Sequence, residues 1–163
     1  MVSVREYLTT SYRPDCDYLD GVLLERNLGE WDHSRAQGLI SAYLFAREKQ
    51  WGMVTLPAVR VQVTPTRFRV PDVCVLLEDH GEQIITHPPF LCIEMLSKED
   101  WMSEMQERID DYLAFGVSTV WVIDPRTRKA RIYTPDASHE VKDGILRTSR
   151  EDISVSLVEV FGP

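Results

Sequence analysis

The chain has 163 residues, 44% of them hydrophobic and 27% charged, the composition of a globular protein large enough to bury a core. No apolar run approaches the ~18 residues of a membrane span, and the first seven residues lack the basic start and apolar stretch of a secretory signal. The net charge of −8 argues against a broad basic face that grips duplex DNA, although a local basic patch remains compatible with it. We therefore expect a single cytoplasmic domain that spans residues 1–163.

The first part of the chain is predicted to form a helix, a hairpin and a second helix. Residues 4–11 have the amphipathic pattern of a short helix. An Asp-Gly pair lies between the apolar residues of segment 18–24, which is a strong hairpin signal. Asp32 is expected to cap a long helix that runs to about Gln50, because its apolar residues recur at intervals of three and four.

The rest of the chain is predicted to form strands around one more helix. Residues 58–63 alternate between apolar and polar side chains, as in a strand with one wet face. A further strand is expected over residues 68–77, and segment 90–96 is apolar almost throughout, like a central strand buried on both faces. The remaining predicted segments are a loop over 79–89, a helix from a cap at Ser97 to about Phe115 with Gly116 as its stop, a strand over 117–123 and edge strands over 130–133 and 138–141. This order predicts an α/β fold.

Two carboxylates interrupt the apolar strands. Asp72 follows Pro71 at the start of one apolar run, and Glu94 lies in the middle of the next. Burial of a carboxylate is costly unless a cation or a hydrogen-bond donor meets it. Together with a backbone carbonyl, from Cys92 or Met95, the pair would suit Mg²⁺, which prefers oxygen ligands and keeps several waters. An ion-bound water could then attack a phosphodiester.

The same spacing fits a purely structural role. Asp72 would then cap a turn, and Glu94 would pair with an arginine such as Arg60 or Arg108. His33, near the start of a helix, would be a surface or capping residue. The spacing alone does not decide between the two interpretations.

Several segments, in this order along the chain, resemble the Uma family of restriction-endonuclease-like proteins. The segments that carry the resemblance are 20–25 with the later His33, Pro71-Asp72, 88–97, 111–117 and 120–125. The resemblance covers most of the chain, from about residue 18 to residue 133.

The resemblance implies a PD-(D/E)XK nuclease fold, in which a mixed central sheet is flanked by helices and a magnesium-dependent site cleaves DNA. Asp72 and Glu94 match the two acidic positions that hold the metal, and Mn²⁺ would substitute for Mg²⁺. Glu25 and His33 match family positions near the same site.

The chain departs from the superfamily motif at its lysine, because Leu96 stands where Lys is expected. In the Uma family a lysine commonly comes from the following helix, and Arg108 occupies that position here. Arginine keeps the positive charge but cannot give up a proton near neutral pH, so Arg108 would steady a phosphate without acting as a general base. Lys98 is a second candidate for the missing role.

The expected function is therefore a magnesium-dependent DNA endonuclease, and a homodimer would let two sites act on opposite strands. Arg60, Arg67 and Arg69 could line the mouth of the cleft and contact phosphates. The alternative is a catalytically impaired nuclease-fold protein that serves as a binding or assembly module. The missing lysine and the negative net charge favour that alternative.

Overall fold

The structure, a computed structural model, describes residues 1–26, 30–97 and 102–163. Its helices are α1 (Val4–Thr9), α2 (Trp31–Phe45), α3 (Glu48–Trp51), α4 (Met102–Phe115) and α5 (Leu157–Phe161). Its strands are β1 (Cys16–Leu19), β2 (Val22–Glu25), β3 (Val54–Pro57), β4 (Val61–Thr64), β5 (Arg67–Arg69), β6 (Val73–Leu76), β7 (Leu91–Met95), β8 (Thr119–Asp124), β9 (Lys129–Tyr133), β10 (Ser138–Glu140), β11 (Ile145–Arg147) and β12 (Ser154–Ser156).

The largest sheet has six strands in the order β10-β9-β8-β7-β6-β3. Strands β7 and β8 run parallel, and the other neighbouring pairs are antiparallel. Parallel neighbours need a long crossover connection, which α4 provides here. The predicted mixed central sheet of an α/β protein is thereby confirmed.

Helices cover both faces of this sheet. Because side chains alternate along a strand, Val73 and Ile93 pack into the cluster on the α2 side, whereas Cys74 and Cys92 pack into the cluster that contains Ile109 of α4. The central strands are therefore buried on both faces, as the apolar run in β7 predicted. A four-stranded sheet of order β2-β1-β5-β4 lies beside them, and its β4 packs against α4.

Two predicted elements differ from the structure, one of them at both of its ends. The strand expected over residues 68–77 is wrong: β5 and β6 belong to different sheets, and the break between them includes Pro71, which has no N–H for a strand ladder. The helix expected to reach Gln50 ends at Phe45 and is followed by the separate α3. Glu30, not Asp32, is the N-cap of α2, and Asp32 lies in the first turn, where a carboxylate favours the helix dipole.

Two turn predictions are confirmed. The Asp-Gly pair turns the β1–β2 hairpin with positive φ at both residues. Gly116 ends α4 with φ of +115°, a conformation that favours glycine, and a Cβ there would lie in tight contact, 3.1 Å from Pro88 Cγ. The expected cap at Ser97 concerns a helix start that falls within residues 98–101, outside the described residues.

Strands β3, β11 and β12 and helix α5 were not predicted from the sequence. Within the described ranges, none of the helices combines the length and the apolar character that crossing a bilayer requires.

Candidate active site

Asp72 and Glu94 lie on neighbouring segments of the chain. Asp72 directly precedes β6, and Glu94 lies on the adjacent strand β7. The antiparallel register pairs Val73 with Ile93, and its continuation by one residue puts Asp72 opposite Glu94. Glu94 is therefore directed to the α4 side of the sheet, whereas Asp72 lies in the bend just before β6 and contacts His33 of α2. Asp72 and Glu94 are almost inaccessible, with 7% and 0% of the side-chain surface exposed.

The two carboxylates converge on the guanidinium group of Arg26, the residue that follows β2. Arg26 Nη2 donates to Asp72 Oδ1 at 2.8 Å and to Glu94 Oε2 at 3.3 Å. Its Nη1 lies 3.9 Å from Asp17 Oδ1. One protein cation thus bridges the two residues that the sequence singled out.

The second oxygen of Asp72 is also bonded. Met95 N donates to Asp72 Oδ2 at 2.7 Å, and His33 Nε2 lies 3.3 Å from the same atom. Burial opposes ionisation of Asp72, but the hydrogen bond from His33 and the charge of Arg26 outweigh it and lower the pKa of the carboxyl to about 2. The same hydrogen bond raises the pKa of His33. The backbone contact to Met95 joins two strands, so Asp72 does not act as a turn cap.

Glu94 receives its other contacts from α4. Tyr112 Oη donates to Glu94 Oε1 at 2.6 Å, and Arg108 Nη1 donates to Oε2 at 3.4 Å. Burial raises the pKa of Glu94, the negative charge of Asp72 adds to that rise, and Arg26 and Arg108 offset only part of it. The pairing with Arg108 is one of the structural alternatives considered for Glu94. Arg60, the other candidate, pairs with Asp15 instead.

A second layer of charge surrounds this pair. Asp17 is fully buried on β1, where its Oδ1 accepts from Val70 N at 2.9 Å and its Oδ2 accepts from Arg69 Nη1 at 3.1 Å. Arg108 Nε lies 3.4 Å from Asp17 Oδ2. Three buried carboxylates (Asp17, Asp72 and Glu94) are thus matched by three guanidinium groups (Arg26, Arg69 and Arg108).

The arginines proposed for phosphate contacts are committed to carboxylates. Arg69 has 1% of its side-chain surface exposed and also bonds Asp111. Arg67 forms ion pairs with Asp20, Glu107 and Asp111. The interpretation of Arg69 as a residue at the mouth of the cleft is therefore wrong.

Two depressions reach the site from the surface, and Arg26 and His33 line both. The larger, of about 220 Å³, also includes Asp72 and Gln37. The smaller, of about 30 Å³, includes the exposed Glu25 and Arg108 in its lining. Glu25 therefore shares a depression with Arg26, His33 and Arg108, which contact the pair, and its role at the site stays a prediction. Lys98, the second candidate for the missing lysine, lies outside the described residues.

Arg26, Asp17 and Tyr112 were not identified as site residues from the sequence. Asp17 carries the same signal as Glu94, a carboxylate inside an apolar strand. Arg26 has no local signal, because its partners Asp72 and Glu94 lie 46 and 68 residues further along the chain.

The carboxylate oxygens of Asp72 and Glu94 are ligands of the kind that a hard divalent cation prefers. Two carboxylates point at one position that already holds positive charge, and Mg²⁺ commonly takes few protein ligands and completes its shell with water. Within the described part of the chain, no group of three or more His, Cys, Asp or Glu side chains is arranged so that it could hold a metal ion. The position between Asp72 and Glu94 is held by Arg26, so an ion fits there only when that guanidinium moves away.

The architecture is shared with a known nuclease-like structure. The chain superposes with a TM-score of 0.84 on the crystal structure of a putative nuclease belonging to DUF820 from Anabaena variabilis ATCC 29413. The match covers 99% of this chain and 98% of that chain, with 19% sequence identity. The fold is restriction-endonuclease-like, as predicted.

Sequence similarity identifies the family. Residues 5–159 match the Uma2 family, which is described as "Putative restriction endonuclease". The chain belongs to this family. No curated protein matches it significantly.

Proposed function

We propose that the protein is an endonuclease that hydrolyses DNA phosphodiester bonds at the Asp72–Glu94 pair with the help of Mg²⁺. The observation that carries this proposal is the convergence of both carboxylates on a single cationic position beside two surface depressions. Membership of a family described as "Putative restriction endonuclease" supports the same reaction and substrate. The homodimer and the cytoplasmic location expected from the sequence stay predictions.

The residues have separable roles in this proposal. Asp72 and Glu94 would hold Mg²⁺, or Mn²⁺ as a substitute, and the bound ion would supply positive charge and a more acidic water. His33 bonds Asp72 Oδ2 and so fixes the orientation of that carboxylate. Arg108 provides a permanent positive charge that can stabilise charge developing on a phosphate, but it cannot serve as a base. Glu25 and Lys98 remain candidates for assisting roles.

A plasmid-nicking assay in Mg²⁺ and in Mn²⁺ tests the proposal. We expect Asp72→Asn and Glu94→Gln to reduce nicking by at least about 100-fold, since each would remove one charged ligand of the ion. Asp136→Asn is the matched control, because Asp136 is an exposed residue between β9 and β10 and its loss should leave the rate unchanged. Circular dichroism of each variant verifies folding. Nicking by folded Glu94→Gln at the wild-type rate would contradict the assignment.

One observation favours a second candidate, a nuclease-fold protein that binds or assembles without cleaving. With Arg26 bonded to Asp72 and Glu94, the charges of the site balance without a metal ion. Such a balance is expected of a purely structural ion network. In that case the folded wild-type protein would show no nicking in either ion, and substitution of Asp72 would change stability alone.

A further inference from the structure

Arg26 occupies the position between Asp72 and Glu94 from which an ion would contact both. The Nη2 distances of 2.8 and 3.3 Å to the two carboxylates are those of direct hydrogen bonds. The Arg26 side chain is 13% exposed, so it reaches from the surface into the buried pair. Arg26 is not part of the acidic motif, Asp72 and Glu94, from which the site was predicted.

We infer that Arg26 is an internal cation that competes with the divalent ion for Asp72 and Glu94. The ion binds only as the guanidinium withdraws, and Arg26 therefore sets the affinity of the site for metal. This inference rests on the proposed metal-dependent function and adds a means of regulating it.

The charge balance requires this competition. With Arg26 in place, the charges of the three buried carboxylates and the three guanidinium groups cancel, and Asp111, which Arg69 also bonds, is paired with Arg67. A divalent ion added to this neutral cluster would leave two uncompensated positive charges in a buried region, which is strongly unfavourable. With Arg26 withdrawn, the ion and one phosphodiester anion together restore neutrality.

The position of Arg26 makes its withdrawal sterically feasible. The residue lines both depressions, and the larger, of about 220 Å³, gives the guanidinium room to move outwards. A guanidinium group bonds phosphate as well as carboxylate. A DNA phosphate at the mouth therefore offers Arg26 a second partner.

A titration with MnCl₂, followed by isothermal calorimetry and by the electron paramagnetic resonance of free Mn²⁺, tests the competition without measuring activity. We expect Arg26→Gln to bind Mn²⁺ at least about tenfold more tightly than the wild type, because the neutral amide leaves both carboxylates to the ion. Arg26→Lys should lie between the two. Arg35→Gln, which changes an exposed arginine of α2, should bind as the wild type does.

The variants also separate this inference from the proposed function. Addition of Asp72→Asn to Arg26→Gln should abolish the gain, and Mn²⁺ should raise the melting temperature of Arg26→Gln more than that of the wild type. If the wild type and both Arg26 variants bind Mn²⁺ equally through Asp72, Arg26 does not compete, although the metal site stands. If none of the folded proteins binds Mn²⁺, the metal-dependent function fails together with the inference. If Arg26→Gln does not fold, Arg26→Lys decides by the same comparison.

Discussion

Asp72 and Glu94 are chemically alike but have opposite electrostatic environments. Asp72 has His33 and a backbone N–H on one oxygen and Arg26 on the other, which lowers its pKa to about 2. Glu94 lies deeper, where burial raises its pKa in spite of two nearby guanidinium groups. Asp72 is therefore the more acidic member of the pair, and it is the better first ligand for a cation.

The contact of His33 with Asp72 predicts a pH-dependent contribution to stability. The folded-state pKa of His33 is raised by the hydrogen bond to Asp72, so its stabilising effect is fully present below the unfolded value of about 6.5 and is lost as pH rises through the folded value. Asp72 stays ionised over this range. We expect His33→Gln to lower the free energy of unfolding by about 1 kcal/mol at pH 5 and by less at pH 9.

Urea unfolding of wild type and His33→Gln at several pH values measures this difference. His139→Gln, at an exposed position on β10, is the control and should show no such trend. A difference that grows towards pH 9 would contradict the assigned role of His33.

At the scale of elements, α4 completes the site by presenting two donors one turn apart. Arg108 and Tyr112 are spaced by four residues and therefore lie on the same face of the helix, where both reach Glu94. The neighbouring residue Asp111 bonds Arg67 and Arg69 of β5. Helix α4 thus links Glu94, on β7 of the six-stranded sheet, to β5 of the four-stranded sheet.

The hydroxyl of Tyr112 should contribute measurably to stability. Tyr112→Phe removes the donor to Glu94 Oε1 and leaves a buried carboxylate oxygen without its partner, which costs about 1–3 kcal/mol. Tyr43→Phe removes a similar bond, from Tyr43 to Glu159 at the surface, and should cost less than about 0.5 kcal/mol because water replaces it. Chemical denaturation of both variants makes the comparison, and equal losses would show that burial of the Tyr112 bond adds nothing.

Local signals explain which elements the sequence could predict. The β1–β2 turn and the end of α4 depend on glycine conformations that are written into the chain. The short β3 forms a strand by pairing with β6, which is distant from it in sequence. Residues 68–77 have a nearly continuous apolar pattern, and this pattern does not show that the chain passes from one sheet to another at Pro71. Local pattern cannot report such long-range pairing.

The same limit applies to the site. The acidic pair could be predicted because carboxylates in apolar strands are rare and costly. Arg26 could not, because its role depends on bringing the end of the β1–β2 hairpin next to two other strands. The residue that lies between the two carboxylates is therefore among those that sequence reasoning missed.

At the scale of the whole molecule, the net charge of −8 and the pairing of arginines act together. Arg60, Arg67 and Arg69 are bonded to carboxylates, so these three arginines are not free cations for a phosphate backbone. Since counterion release drives most non-specific DNA binding, recognition by this protein should depend weakly on salt.

The salt dependence of DNA binding can be measured in EDTA, which would prevent the proposed metal-dependent cleavage. Fluorescence anisotropy of a labelled duplex at increasing NaCl should give a slope of log K against log [NaCl] no steeper than about −3, equivalent to about three phosphate contacts. Asp20→Asn removes one carboxylate partner of Arg67 and, because asparagine tolerates the same left-handed turn conformation, should steepen the slope by up to about 1. Asp136→Asn changes the net charge equally without removing a carboxylate partner of Arg67 and should leave the slope unchanged. A wild-type slope of about −6 or steeper would mean that a basic surface outside these ion pairs carries the DNA, and the pairing of the arginines would then not limit binding.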